Sequence, residues 1–222
     1  LTQILNSKKP KSLIVIEKDI RFINILKENL NLLDQNIISG DILNFNLNNI
    51  EIKNAVIFGN LPYNISTQIL SKFIKVKSWP PFYKKIIFMF QSEVADRILA
   101  KTNTSNYGRL SVLSNFRLEP IENFKISRKS FFPVPKVDSK IIVFKPKVKI
   151  NFKIKNIDNL ENVSQIFFSN RRKMINKAFK KLFKNPLEVA KKLKIDLSSR
   201  PGELDCETYY KITEIYEKTR KN

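Results

Sequence analysis

Asn60, Leu61, Pro62 and Tyr63 follow the apolar run AVIFG and open the stretch NLPYNIST at residues 60–67. An asparagine carbonyl and a nearby backbone carbonyl can together accept both hydrogens of an exocyclic amine. The lone pair of such an amine is delocalised into its ring. Holding both hydrogens favours pyramidal nitrogen and aims the lone pair at an electrophile. Pro62 has no N–H and a restricted φ, so it stiffens the turn. Tyr63 offers a face on which a base drawn out of its helix can stack. No general base is required. The same residue types also suit an ordinary strand-to-helix turn with a core tyrosine.

Two acids fall at comparable places. Glu17 ends the run LIVIE, and Asp41 follows Gly40 after NIIS. An acid at a strand end in an α/β sheet can accept hydrogen bonds from the hydroxyls of a ribose. Asp41 could take an adenine amino group. Each could equally cap a helix. Phe131 and Phe132 stand before Pro133 in KSFFPVPKVDS at 129–139 and could form the second wall of a base pocket. The glycine-rich loop expected after the first strand of a nucleotide-binding domain is not found. The four glycines are Gly40, Gly59, Gly108 and Gly202, and none precedes Glu17. Any such loop is expected upstream of Leu1, with the chain N-terminally truncated and impaired by the loss.

Positioning these groups requires short strands alternating with helices. Strands are predicted at 13–17, 36–41, 55–58 and 85–90, and later at 116–124 and 137–144. A helix is predicted from Asp19 as N-cap, with Ile20, Ile23, Leu26, Lys27 and Leu30 at helical spacing. Others are predicted at 66–76, with Ser66 as cap, and at 91–100. This alternation predicts an α/β fold with a parallel sheet covered on both faces. Ligands of such sheets sit beyond the strands' carboxyl ends, where Glu17, Asp41 and Asn60 lie. A boundary is expected near 146–155. Helices are predicted at about 156–169, 171–184, 186–194 and 205–219, with breaks at Pro186 and Pro201-Gly202.

Composition narrows the chemistry. The 222 residues contain no histidine and one cysteine, Cys206. Catalysis by Ser-His-Asp or Cys-His is thereby excluded, no intramolecular disulfide can form, and no metal site is expected. No apolar run reaches the roughly 18 residues of a membrane span. A cytoplasmic monomer is expected. Lys and Arg total 41 against 20 acids, a net charge of +21. Residues 145–222 carry 20 basic and 9 acidic side chains, about twice the positive charge per residue of the remainder. Such a balance fits a polyanionic partner, nucleic acid before membrane, although a genome-wide bias toward Lys, Asn and Ile would also raise it.

Taken in order, VIEKD (15–19), GDIL (40–43), NLPYNIST, FQSEVADRI (90–98), YGRLSV (107–112), FFPVPKVDS (131–139) and NRRKMI (170–175) resemble the KsgA-type small-subunit rRNA adenine dimethyltransferases. The resemblance covers nearly the whole chain. It implies a Rossmann-like class I methyltransferase domain, 1–148, and a small helical rRNA-binding domain, 149–222. It implies S-adenosylmethionine as methyl donor, and N6 of two adjacent adenines near the 3′ end of small-subunit (16S) rRNA as acceptors. The partner would be the immature small ribosomal subunit. By position, Glu17 would bind the cofactor ribose, Asp41 its adenine, and Ile42 the adenine ring, with Lys18 in the same site. Asn60 would hold the target amine and the methionine end of the cofactor. Leu61 would offer its carbonyl, Pro62 would stiffen the turn, and Tyr63 and Phe131 would flank the target base. Arg171, Arg172 and Lys173 would face rRNA phosphates. The alternatives are a large-subunit rRNA methyltransferase of the macrolide-resistance type, an rRNA-binding assembly factor with impaired catalysis, or a mitochondrial transcription factor of the same lineage. YGRLSV and NRRKMI, the intact Asn60 and Tyr63, and the short helical region favour the small-subunit enzymes.

Overall fold

The structure, a computed structural model, describes residues 1–30, 36–50 and 52–220. The chain divides into two compact units, Leu1–Glu51 and Ile52–Asn222.

The first unit holds α1 (Thr2–Ser7), β1 (Val15–Glu17), α2 (Ile20–Leu30) and β2 (Ile37–Ser39). The two strands pair in parallel, Val15 with Ile37 and Glu17 with Ser39. Asp19 caps α2 as expected. Its Oδ1 accepts the Arg21 N–H at 2.9 Å, and its carbonyl accepts that of Ile23. Ile23 fixes the buried face of the helix. The burial expected of Leu30 lies outside the described residues. β2 is shorter than 36–41 because Asn36 turns its side chain to the Leu13 carbonyl and Gly40 leaves the strand at φ 158°. The Gly40 N–H then reaches the Glu17 carbonyl at 2.8 Å, joining the ends of β1 and β2.

The second unit contains β3 (Ala55–Asn60), β4 (Tyr83–Gln91), β5 (Leu118–Ile126) and β6 (Ser139–Pro146), ordered β3-β4-β6-β5. β3 and β4 are parallel, but β6 runs antiparallel to both β4 and β5. The parallel pairing expected where strands alternate with helices holds for β3 and β4, and β6 makes the sheet as a whole mixed. β5 and β6 are joined by the loop 127–138, with no crossover helix to return the chain in the same direction. α3 (Ser66–Ile74), α4 (Ser92–Leu99) and α5 (Arg109–Arg117) connect the strands. Ile69, Leu70, Phe73 and Ile74 bury one face of α3, and Phe73 packs edge-on against Tyr83 and Phe88. Arg117 stops α3 by donating from Nη1 to the carbonyls of Ile74 and Val76, and its guanidinium lies 4.5 Å from the Trp79 ring centre.

Four helices follow: α6 (Ile157–Phe168), α7 (Asn176–Leu182), α8 (Pro186–Leu193) and α9 (Cys206–Thr219). Their core is aromatic, with the Phe167 ring 5.6 Å from Phe179 and 5.3 Å from Tyr209. The layer docks on α5 through Tyr210, whose hydroxyl donates to the Val112 carbonyl and whose ring meets Phe116. The helix expected from 171 begins only at Asn176. Lys173 N–H closes a turn onto Asn170, and Ile175 N–H is taken by the Ser199 carbonyl, so residues 171–175 cannot continue α6.

Candidate active site

β3 delivers the NLPY turn. Its last residue, Asn60, pairs in register with Met89. The Asn60 side chain is exposed, and no described residue bonds its amide or donates to the Leu61 carbonyl. Both acceptors are thus uncommitted. Behind them Gly59 is closely enclosed. A Cβ there would lie 2.6 Å from Leu61 Cδ2 and 2.8 Å from Phe88 Cδ1. The backbone must approach that near, so glycine is a structural requirement of the turn. Sequence reasoning missed it; a lone glycine ending an apolar run was the available signal.

The turn closes with Ile65 N–H donating to the Pro62 carbonyl. Ser66 is not the cap it was expected to be. It is the first residue of α3, and its hydroxyl donates to the Tyr63 carbonyl at 3.1 Å. Ser66 therefore holds the turn from the helix side. Tyr63 is half-buried, with its hydroxyl 2.7 Å from Ser139 Oγ. Ser139 is fully buried at the start of β6. The phenol end is tethered and the ring is pinned. Tyr63→Phe would leave Ser139 Oγ buried without this partner. We expect a loss of about 1–3 kcal/mol in unfolding free energy, read by urea denaturation.

Phe131 sits half-buried in the loop before β6, and Phe132 is fully exposed. No ring contact joins Phe131 to Tyr63 among the described residues. The loop is tied at its base by Asp138. One carboxylate oxygen accepts the Arg128 N–H at 3.0 Å, the other pairs with Lys125 Nζ at 3.1 Å, and its carbonyl takes the Ser92 N–H. The Arg128 N–H, and then Lys125, hold the Asp138 carboxyl below the ordinary aspartate value of 3.8. A lowered folded value means the tie is present above the ordinary value and is lost as pH falls through the folded one. The Arg128 amide resonance should therefore titrate with a midpoint below 3.8. In Asp138→Asn that titration should vanish, and a midpoint at or above the ordinary value would refute the tie.

In the first unit Glu17, Lys18 and Asp41 are linked. Glu17 Oε1 accepts the N–H groups of Lys18 and Asp19 at 2.7 and 2.9 Å. These bonds set the carboxylate at the strand end and leave Oε2 without a described partner. Asp41 Oδ1 accepts the Leu43 N–H, and Oδ2 pairs with Lys18 Nζ at 3.0 Å. No helix follows Asp41, so it holds a turn rather than caps a helix. One oxygen holds the turn carrying Ile42, and the other faces a cation that is mostly exposed and costs little to displace.

Arg171, Arg172 and Lys173 occupy the turn after α6. Arg172 and Lys173 are exposed. Arg171 is half-buried and donates from Nη2 to the Thr104 carbonyl at 2.9 Å. The three are neighbours in sequence but differ in exposure. Among the described residues, no helix is long and apolar enough to cross a membrane, and no group of three or more His, Cys, Asp or Glu could hold a metal.

A family model described as ribosomal RNA adenine dimethylase matches residues 1–218. The ribosomal RNA small subunit methyltransferase A of Pelagibacter ubique is 45% identical over 99% of this chain and 83% of its own length. That of Ehrlichia canis is 37% identical over 96% of this chain and 80% of its own. Among solved structures, a dimethyladenosine transferase from Plasmodium falciparum aligns with a TM-score of 0.72 at 27% identity, covering 95% of this chain and 83% of that one. The 23S rRNA methyltransferase ErmE aligns at 0.62 with 20% identity, covering 93% of this chain and 82% of that one, a likeness of fold alone. The mixed sheet, its helices and the helical C-terminal region are those of a Rossmann-like methyltransferase fold.

Proposed function

The chain belongs to the ribosomal RNA adenine dimethylase family, and from that premise we propose that it dimethylates N6 of two adjacent adenines near the 3′ end of small-subunit rRNA, with S-adenosylmethionine as donor and the immature small subunit as partner. The observation that carries this reading is the NLPY turn. It stands intact at the end of β3, with the Asn60 amide and Leu61 carbonyl both uncommitted.

When bound, the cofactor supplies an electrophilic methyl group on a sulfonium. Its adenosine would meet the carboxylate acceptors of the first unit. Glu17 Oε2 is oriented to accept ribose hydroxyls, Asp41 Oδ2 to accept an amino group, and Ile42 to cover an apolar ring. Lys18 would give up or share its bond to Asp41 Oδ2. Asn60 Oδ1 and the Leu61 carbonyl accept the target N6 hydrogens and hold the lone pair in line for attack. Transfer would form the N–C bond as the sulfur–methyl bond breaks to a neutral thioether, and the proton then carried by the nitrogen is acidic enough to leave to solvent without a protein base. Pro62 stiffens the turn that carries the two acceptors. Tyr63, tethered through Ser139, stacks on the base, and Phe131 is the second aromatic wall. Residues 1–148 are assigned to catalysis. Residues 149–222 are assigned to rRNA binding, a division supported by the end of β6 at Pro146 and the basic helices beyond it. Arg171, Arg172 and Lys173 are assigned to phosphates, with Arg172 and Lys173 the more available.

Glu17→Ala should weaken cofactor binding about tenfold or more, the worth of a charge-assisted bond, by isothermal calorimetry with S-adenosylhomocysteine. Unchanged affinity would remove Glu17 from the site. The function itself is tested by offering both ribosomal RNAs with labelled donor. Label is expected in the small-subunit RNA, and label in the large-subunit RNA would favour the macrolide-resistance alternative.

A further inference from the structure

A second basic feature lies in the second unit, where α4, α5 and the turn after α6 line one cleft. Arg97 near the end of α4, Arg109 at the start of α5 and Arg171 after α6 line one cleft of about 250 Å³ together with Asn106, Gly108 and Phe168. No Asp or Glu lines it. Arg97 and Arg109 are exposed, and their side chains form no ion pair with any described residue. Three guanidinium groups gathered without a counter-charge repel one another, and an anion would relieve that repulsion.

The rest of the cleft is equally suited to an anion. Arg171 is already set by its bond to the Thr104 carbonyl. α5 starts at Gly108 with no side-chain cap. Ser111, inside the first turn, accepts the Gly108 N–H and donates to the Arg97 carbonyl, so its hydroxyl is already committed. First-turn N–H groups and the positive end of the helix thus add to the guanidinium field. Phe168 is immobilised between Tyr107 and Tyr209 and gives one apolar wall. An apolar wall beside cationic forks matches a sugar next to its phosphate better than a free inorganic ion.

We propose that the cleft of Arg97, Arg109 and Arg171 is a subsite for a backbone phosphodiester of the RNA. The proposal rests on the RNA-methylating reading and adds Arg97 and Arg109, on α4 and α5, to the RNA-binding surface. It is tested by binding, so that its failure and that of the reading can be told apart. Arg97→Gln/Arg109→Gln is titrated with a fluorescein-labelled RNA hairpin over a series of KCl concentrations. The slope of log affinity against log salt should fall by about one relative to wild type, and affinity should drop on the order of tenfold. Arg97→Lys/Arg109→Lys should keep the slope. In the unaltered protein, the hairpin should protect Arg97 and Arg109 from phenylglyoxal. A wild-type slope in a Gln variant that melts like wild type, or no protection of either arginine, overturns the subsite whatever the protein methylates. A reduced slope in a protein that methylates no small-subunit rRNA keeps the subsite and discards the reading.

Discussion

Asn60→Ala is expected to lower kcat for methyl transfer on the order of 10²–10³-fold, the usual cost of removing one preorganised polar group from a reacting centre. RNA affinity should not change, because the cations proposed to face phosphates lie elsewhere in the chain. Stability should hardly change either. The Asn60 side chain is exposed at the end of β3 and bonds no described residue, so its removal leaves nothing buried and unpaired. The effect falls on one step because the Leu61 carbonyl alone can hold only one hydrogen of the amine. The nitrogen then stays conjugated with its ring and remains a poor nucleophile. Single-turnover transfer measured beside hairpin binding and urea denaturation separates the three quantities. Transfer that survives at near wild-type rate would remove Asn60 from the chemistry.

Gly59→Ala is expected to have the second largest effect, on activity and stability together. Placing alanine for glycine in a strand ordinarily gains roughly 0.5–1 kcal/mol, because the unfolded chain loses freedom. Here the added methyl would sit 2.6 Å from Leu61 Cδ2 and 2.8 and 2.9 Å from two atoms of the Phe88 ring. Phe88 is 1% exposed and its ring is wedged against Phe73 and Phe90, so it has nowhere to retreat. Overpacking of this kind costs about 1–3 kcal/mol and exceeds the entropic gain. Leu61 is the side chain that can yield, and yielding moves the carbonyl beside Asn60. A displacement of about 1 Å at a reacting group costs on the order of a hundredfold in rate. Both readouts should fall: a lower urea midpoint, and a kcat reduced well beyond what the fraction unfolded explains. A stabilised and fully active variant would contradict the packing argument.

The separate contributions of sequence and structure are visible at particular residues. The strand-end positions of Glu17 and Asn60 were legible because apolar runs ended on them. The α2 cap at Asp19 was legible because its residue type and the following helical period agree. The direction of β6 was not. A strand's apolar pattern is the same whichever way it runs, and only the connection through 127–138 sets it antiparallel. The cap expected at Ser66 failed by one position, since Ser66 bonds backward to Tyr63 from inside the helix. Residues 171–175 read as helix because their types permit it, and the long-range bond from Ile175 to Ser199 overrides that preference. The tether of Tyr63 to Ser139, 76 residues apart, is a tertiary fact that no local pattern announces. The convergence of Arg97, Arg109 and Arg171 is another, since each belongs to a different element.

The most direct test of the central claim is nucleoside mass spectrometry of small-subunit rRNA. Immature small subunits lacking the modification would be incubated with the protein and S-adenosylmethionine, and the RNA digested and mapped. N6,N6-dimethyladenosine at two adjacent positions near the 3′ end, absent with Asn60→Ala, is the predicted result. Dimethyladenosine in large-subunit rRNA instead, or an Asn60→Ala product equal to wild type, would contradict the account.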